Sequence, residues 1–382
     1  MSKPAAGVSM APDFALAMLG LLLLLVGLIA ITSASIEFAH LNYDNGWYHM
    51  QRHLVYMFLA LGGAVVVYHL SPRFWLETGW VWLFLALALL ILVLVPGIGR
   101  EVNGSQRWLA IGPMTLQPSE FAKLAMVIYL AGYMVRREHE VRHQWQGFFK
   151  PMGLLFCTTL LLMLEPDFGA TVIVAGTAFG MLFLAGVKLG HFLMVVLGAL
   201  IALAVLVISE PYRMKRLTAY TDPWADPYDT GFQLTQSLIA FGRGEWLGVG
   251  LGNSVQKLFY LPEAHTDFVF SIWAEETGFV GAVALIALFA ALIGRILWVG
   301  RQALMVANPF GAYVCYGVAL VFAGQGFVNM GVSSGLLPTK GLTLPFVSYG
   351  GTSLIVCCTM LALVLRVDRD TRVRRGRGRK KA

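Results

Sequence analysis

About ten apolar windows, each long enough to cross a hydrocarbon layer of roughly 30 Å, fill most of this chain. They fall near 14–34, 54–70, 78–96, 118–135, 152–165, 168–187, 190–209, 268–294, 310–332 and 345–366. No water is available at membrane depth, so every backbone N–H and C=O there must bond internally, and windows of this length must be helices. The expected fold class is an all-α integral membrane protein of about ten transmembrane helices. Composition agrees: 58% of residues are hydrophobic, 13% are charged and the mean hydropathy is +0.70, which excludes an ordinary soluble domain. The first run, Phe14 to Ala34, is too long for a signal-peptide core and reads as a retained span. Glu165-Pro166-Asp167 reads as a tight turn between two short spans.

Lysine and arginine set the orientation. With a cytoplasmic N-terminus, the inner segments hold Lys3, Arg73, Arg136, Arg137, Arg142, Lys150, Lys188, Arg295 and Arg301, and the short outer loops hold only Arg52, Arg100, Arg107 and Lys340. Both termini are therefore expected in the cytoplasm. Residues 1–371 read as a single polytopic domain with one large extracytoplasmic loop, 210–268, between spans 7 and 8. Residues 372–382 read as a basic, disordered cytoplasmic tail held near anionic head groups, with no nucleic-acid role expected.

Cys157, Cys315, Cys357 and Cys358 all fall within spans, without C-x-x-C spacing, and read as packing residues. The eight histidines read as scattered, so a dedicated zinc site is not expected.

Polar residues at or near membrane depth are costly and usually mark a pathway or a site. In Gln117-Pro118-Ser119-Glu120-Phe121-Ala122-Lys123, proline starts a helix, and Glu120 and Lys123 share one face. They form either a structural ion pair or a polar wall of a substrate cavity. Arg107, beside Trp108, is either an interfacial anchor or a guanidinium fork for phosphate. The large loop opens on a cationic cluster with Arg213 and Lys215, whose simplest use is an anionic head group. A helix is expected over 231–241, followed by a glycine-rich run to Gly252 that lacks the strand context of a nucleotide-binding loop.

The loop ends in Leu261-Pro262-Glu263-Ala264-His265-Thr266-Asp267-Phe268 at the mouth of the eighth span. Were the helix to start near Thr266, Asp267, Ser271 and Glu275 would share one face. Asp267 is then either a helix cap or a general base at the bilayer edge. The connector between the last two spans, 335–353, carries two prolines and paired glycines, so irregular backbone at membrane depth must line protein or a cavity.

Gln106-Arg107-Trp108, Gln117-Pro118-Ser119-Glu120, Leu261 to Phe268 and Pro345-Phe346-Val347-Ser348-Tyr349-Gly350-Gly351 together resemble the SEDS family (shape, elongation, division and sporulation) over about residues 14–370. Gly250 to Lys257 and Pro338-Thr339-Lys340-Gly341 are more similar to its division branch than to its elongation branch. The resemblance implies an inverting glycosyltransferase of the bacterial cytoplasmic membrane, enriched at the septum. It would polymerise lipid II into glycan strands beside a class B penicillin-binding transpeptidase and other division proteins. By motif, Asp267 corresponds to the family's essential aspartate, and Lys340 and Arg213 to polar positions of functional weight. The wider set of expected substrate-binding residues is Arg107, Glu120, Lys123, Arg213, Lys215, His265, Glu275, Lys340 and Ser348, with His265 shaping the loop end rather than carrying the proton. No tightly bound cofactor is expected; a magnesium or manganese ion could share the pyrophosphate charge. The competing readings are a lipid II flippase and a non-catalytic division scaffold. The outward crowding of the site residues and the lack of an internal repeat count against the flippase.

Overall fold

In the computed structural model, residues 13–102, 105–112, 114–208, 220–229, 231–338 and 341–379 are described. The helices are α1 (Phe14–Tyr43), α2 (Tyr48–His69), α3 (Pro72–Leu94), α4 (Pro118–Arg136), α5 (Glu138–His143), α6 (Trp145–Leu164), α7 (Phe168–Leu184), α8 (Leu189–Ile208), α9 (Phe232–Gly244), α10 (Val269–Met305), α11 (Pro309–Ser333) and α12 (Gly351–Arg379). Every expected apolar window coincides with one of them. Seven, namely α1, α2, α3, α6, α10, α11 and α12, are long and apolar enough to cross a membrane, and α7 and α8 are shorter apolar helices. α4 is set apart by its composition: it carries Glu120 and Lys123, yet nearly all of it is buried by neighbouring helices. A charged pair is tolerable there because protein, not lipid, surrounds it.

Among the described residues, the one sheet is a small antiparallel meander, β1 (Gly99–Val102), β2 (Ser105–Ile111) and β3 (Met114–Leu116), between α3 and α4. Its register pairs Arg100 with Trp108 and Ala110 with Thr115, with a bulge between Arg100 and Glu101. It was missed because it is amphipathic over only a few residues beside much stronger apolar runs.

At one end of the bundle the start of α1 meets α10 and α12. Asp13 caps α1 by accepting from Leu16 N (3.1 Å), and it also accepts from Arg295 Nη2 (2.7 Å) and pairs with Arg372 (3.5 Å). Arg372 also pairs with Asp368 (2.9 Å). The expectation of a disordered tail from residue 372 is corrected here: α12 continues to Arg379, because its first basic turn finds carboxylates one turn back and across on α1.

α10 is not continuous. Gly278 sits at φ 69°, ψ −169°, and the turn-rich stretch 245–250 fills the break. Val249 N donates to Glu275 O (3.0 Å), Gly250 N to Glu276 O (3.0 Å), and Phe279 N to Glu245 O (2.9 Å). The backbone groups freed by the break are thus satisfied by the loop. A Cβ on Gly278 would lie 2.4 Å from Gly248 N, so the glycine-rich run is what allows this close insertion.

The α11–α12 connector is held as tightly. A Cβ on Gly27 of α1 would lie 2.3 Å from Phe346 O. The expected irregular backbone is present, and protein walls it on this side.

Candidate active site

At the opposite end from Asp13, the ends of α1 and α2, the sheet, the α6–α7 turn, the segment before α10 and the connector enclose a cavity of about 700 Å³. That volume is typical of small-molecule sites. Its wall includes Asp267, Asp167, Arg107, Arg100, Arg52 and Glu120.

Asp267 precedes α10 rather than capping it. The N-cap is Phe268, and no side chain caps the helix. Asp267 N donates to Glu263 O (3.1 Å), and its carbonyl accepts from Asn329 Nδ2 (2.8 Å). No side chain among the described residues hydrogen-bonds its carboxyl. The connector presses against it, since a Cβ on Gly341 would lie 2.6 Å from Asp267 Oδ2. Burial pushes the carboxyl up to about 7, Glu263 and Asp167 add to the rise, and Arg107 opposes it. The capping role falls instead to Asp167, whose Oδ1 accepts from Ala170 N (3.1 Å) at the start of α7.

Arg107, on β2, donates through Nε to the Glu165 carbonyl (3.2 Å) and through Nη2 to the Pro166 carbonyl. Those bonds fix the guanidinium on the cavity wall, beside Asp267. Glu165 lies fully buried behind it, and burial, then Asp167, raises its carboxyl to about 8. Glu120 reaches the cavity and pairs with Lys123 (2.8 Å): the ion pair is present, with one partner on the cavity wall and the other buried in the packing.

Several expected substrate contacts are placed elsewhere. Lys123 is 2% exposed and donates to Gln325 Oε1 (2.7 Å), away from the cavity. Glu275 is fully buried; it accepts from Ser254 Oγ (2.5 Å) and Val255 N (3.1 Å) and pairs with Arg243 (3.2 Å), clasping the loop to α10. It turns away from Asp267 because the helix begins later than Thr266. Ser348 Oγ accepts from Leu344 N (2.8 Å) in a buried turn. His265 packs against Phe38 and His49, with ring centroids 5.3 and 4.9 Å apart, and its carbonyl accepts from Tyr349 N (3.0 Å). Burial lowers its ring to about 4, so it is neutral and shapes the loop end. Arg213, Lys215 and Lys340 lie outside the described residues.

Cavity residues missed from the sequence are Asp167, Arg52, Arg100, Gln117 and Thr352. Asp167 carried a usable signal: like Asp267, it is an acid at the start of an apolar helix. Thr352 Oγ1 links two walls, accepting from Gln117 N (3.1 Å) and donating to Thr115 O (3.0 Å).

The histidines are not scattered as expected. His49 and His53 lie one turn apart on α2, and His139-Glu140-Val141-Arg142-His143 has the spacing of a zinc protease helix. In the latter, Glu140 is held by Arg137 and Lys150 (3.0 Å). Among the described residues no group of three or more His, Cys, Asp or Glu side chains gathers to hold a metal.

A model of the cell cycle protein family FTSW_RODA_SPOVE matches residues 14–373. The probable peptidoglycan glycosyltransferase FtsW of Pseudomonas fluorescens is 54% identical over 361 residues, covering 94% of this chain and 88% of that one. Its counterpart in Hahella chejuensis is 52% identical over 345 residues, covering 90% and 87%. Among solved structures, a chain of a peptidoglycan synthase complex that coordinates polymerization and crosslinking superposes with a TM-score of 0.78 at 31% identity, covering 95% of this chain and 99% of that chain. The rod shape determining protein RodA of Thermus thermophilus superposes with a TM-score of 0.70 at 31% identity, covering 94% and 97%. This chain is a multi-pass, all-α membrane protein and belongs to the FtsW/RodA/SpoVE cell cycle protein family.

Proposed function

We propose that this chain is a peptidoglycan glycosyltransferase that polymerises lipid II during septal wall synthesis. The carrying observation is Asp267: a half-buried, desolvated carboxyl on the wall of a cavity at one end of a membrane bundle, with arginines on the same wall. The names of its relatives support the reaction class.

In the proposed reaction, the acceptor's GlcNAc 4-hydroxyl attacks the donor's anomeric carbon. Asp267 takes the hydroxyl proton as the new C–O bond forms. The bond to the pyrophosphate oxygen breaks with inversion, and undecaprenyl pyrophosphate leaves with the electron pair. Arg107 and Arg100, on the wall of the same cavity, are proposed to stabilise that charge. Arg213, Lys215 and Lys340 are proposed to add to the cationic rim, and a divalent cation to travel with the pyrophosphate. Ten crossings, cytoplasmic termini and enrichment at the septum complete the proposal. So does a class B transpeptidase partner, which the match to a chain of a synthase complex supports.

Purified protein with its transpeptidase partner is expected to convert lipid II into polymer. Movement of lipid II across vesicles with no polymer formed would favour a flippase instead. The base must be ionised to act, so kcat/KM is expected to rise with pH through about 7 and to fall about tenfold per unit below it. A profile flat from pH 5 to 8 would remove Asp267 from that role.

A further inference from the structure

Two buried amides lie one turn apart on α11, Gln325 and Asn329, each 1% exposed. Both grip the connector. Gln325 Nε2 donates to Thr343 O (2.8 Å), and its Oε1 accepts from Lys123 of the Glu120 pair. Asn329 Nδ2 donates twice, to Leu342 O (2.6 Å) and to Asp267 O (2.8 Å). One side-chain nitrogen thus ties the segment before α10 to the connector, at the point where Gly341 meets the Asp267 carboxylate. The Oδ1 of the same amide is buried without a partner, so the side chain is committed through its donors alone.

We propose that Asn329 is a positioning residue for glycosyl transfer, seating the Asp267 backbone so that its carboxyl lies against the connector at the cavity wall. The inference rests on the reading of Asp267 as the base. The titratable groups facing Asp267 are Glu263 on its own segment, Arg107 on β2 and Asp167 at the α6–α7 turn, and Glu120 of α4 lines the same cavity. Freed from Asn329, the carboxyl can turn from Gly341 toward solvent. Hydration favours its charged form, and the acid limb moves to lower pH.

Asn329→Leu keeps the branching at Cγ and removes both donations. With the transpeptidase partner and lipid II, kcat is expected to fall ~10- to 100-fold, as a misplaced reacting group does, with KM little changed. The acid limb of the pH–rate profile should shift downward. A loss of fold would lower the yield of active protein without moving that limb. An unchanged kcat, or a lower kcat with the limb where wild type has it, overturns the proposal. Should the leucine variant not survive purification, Asn329→Ala is read in the same way, because its vacated space admits water to the two carbonyls. Polymer from Asp267→Asn would overturn the base reading itself, a failure distinguishable from that of Asn329.

Discussion

Asp267→Asn is expected to fold, to bind its transpeptidase partner and to make no glycan, with a rate loss of about 10²- to 10⁴-fold or more. Asparagine matches the carboxyl in shape, and the bonds that seat this residue use its backbone: Asp267 N to Glu263 O and Asn329 to Asp267 O. Neither needs a charge. The desolvated carboxyl is costly to ionise in this wall, so the amide removes a cost rather than a support. Thermal melting in detergent should therefore show a midpoint no lower than wild type. What the amide cannot do is accept a proton from a sugar hydroxyl. Retained polymerisation would transfer the role to another cavity carboxylate, of which Asp167 is the first to test.

The bundle was legible because its signal is long and redundant: each apolar window stands alone, and each became a helix. The general location of the site was legible too, since Glu120 and Asp267 are polar residues at the edges of such windows and Arg107 lies in the segment between two of them, and they do meet around one cavity. What failed was direction. Lys123 and Glu120 share a face by spacing, yet only Glu120 reaches the cavity, because Gln325 from α11 captures the lysine. Glu275 was placed beside Asp267 by counting turns from a helix start that lies too early. With the helix starting at Val269 and breaking at Gly278, the same residue serves the loop. Asp167 looked like punctuation in a proline turn, and nothing local shows that β2 folds back to lay Arg107 over that turn. Long-range partners decide these side chains, and one sequence does not carry them.

The Lys257–Glu276 pair should show the largest stability effect in the molecule outside the cavity. Lys257 Nζ donates to Glu276 Oε1 (3.1 Å), to Ser33 Oγ (3.1 Å) and to Gly252 O (2.6 Å), joining the glycine-rich run, α10 and α1. Side-chain exposures of 4% and 1% leave water little access. Lys257→Met keeps the stem and removes the charge, stranding the Glu276 carboxylate, and is expected to cost about 3–5 kcal/mol. The double variant Lys257→Met/Glu276→Gln strands no charge and should recover most of the loss, because the desolvation that both ions require nearly offsets their attraction. The double-mutant cycle, read as melting midpoints in one detergent, separates the two cases. If the single and double variants melt together well below wild type, the pair itself holds the loop in the Gly278 break. If the double variant returns to near wild type, backbone insertion at Gly248 and Gly278 holds it, and the ions only fix its register. We expect the second outcome, since four backbone bonds already close the break between 245–250 and 275–280.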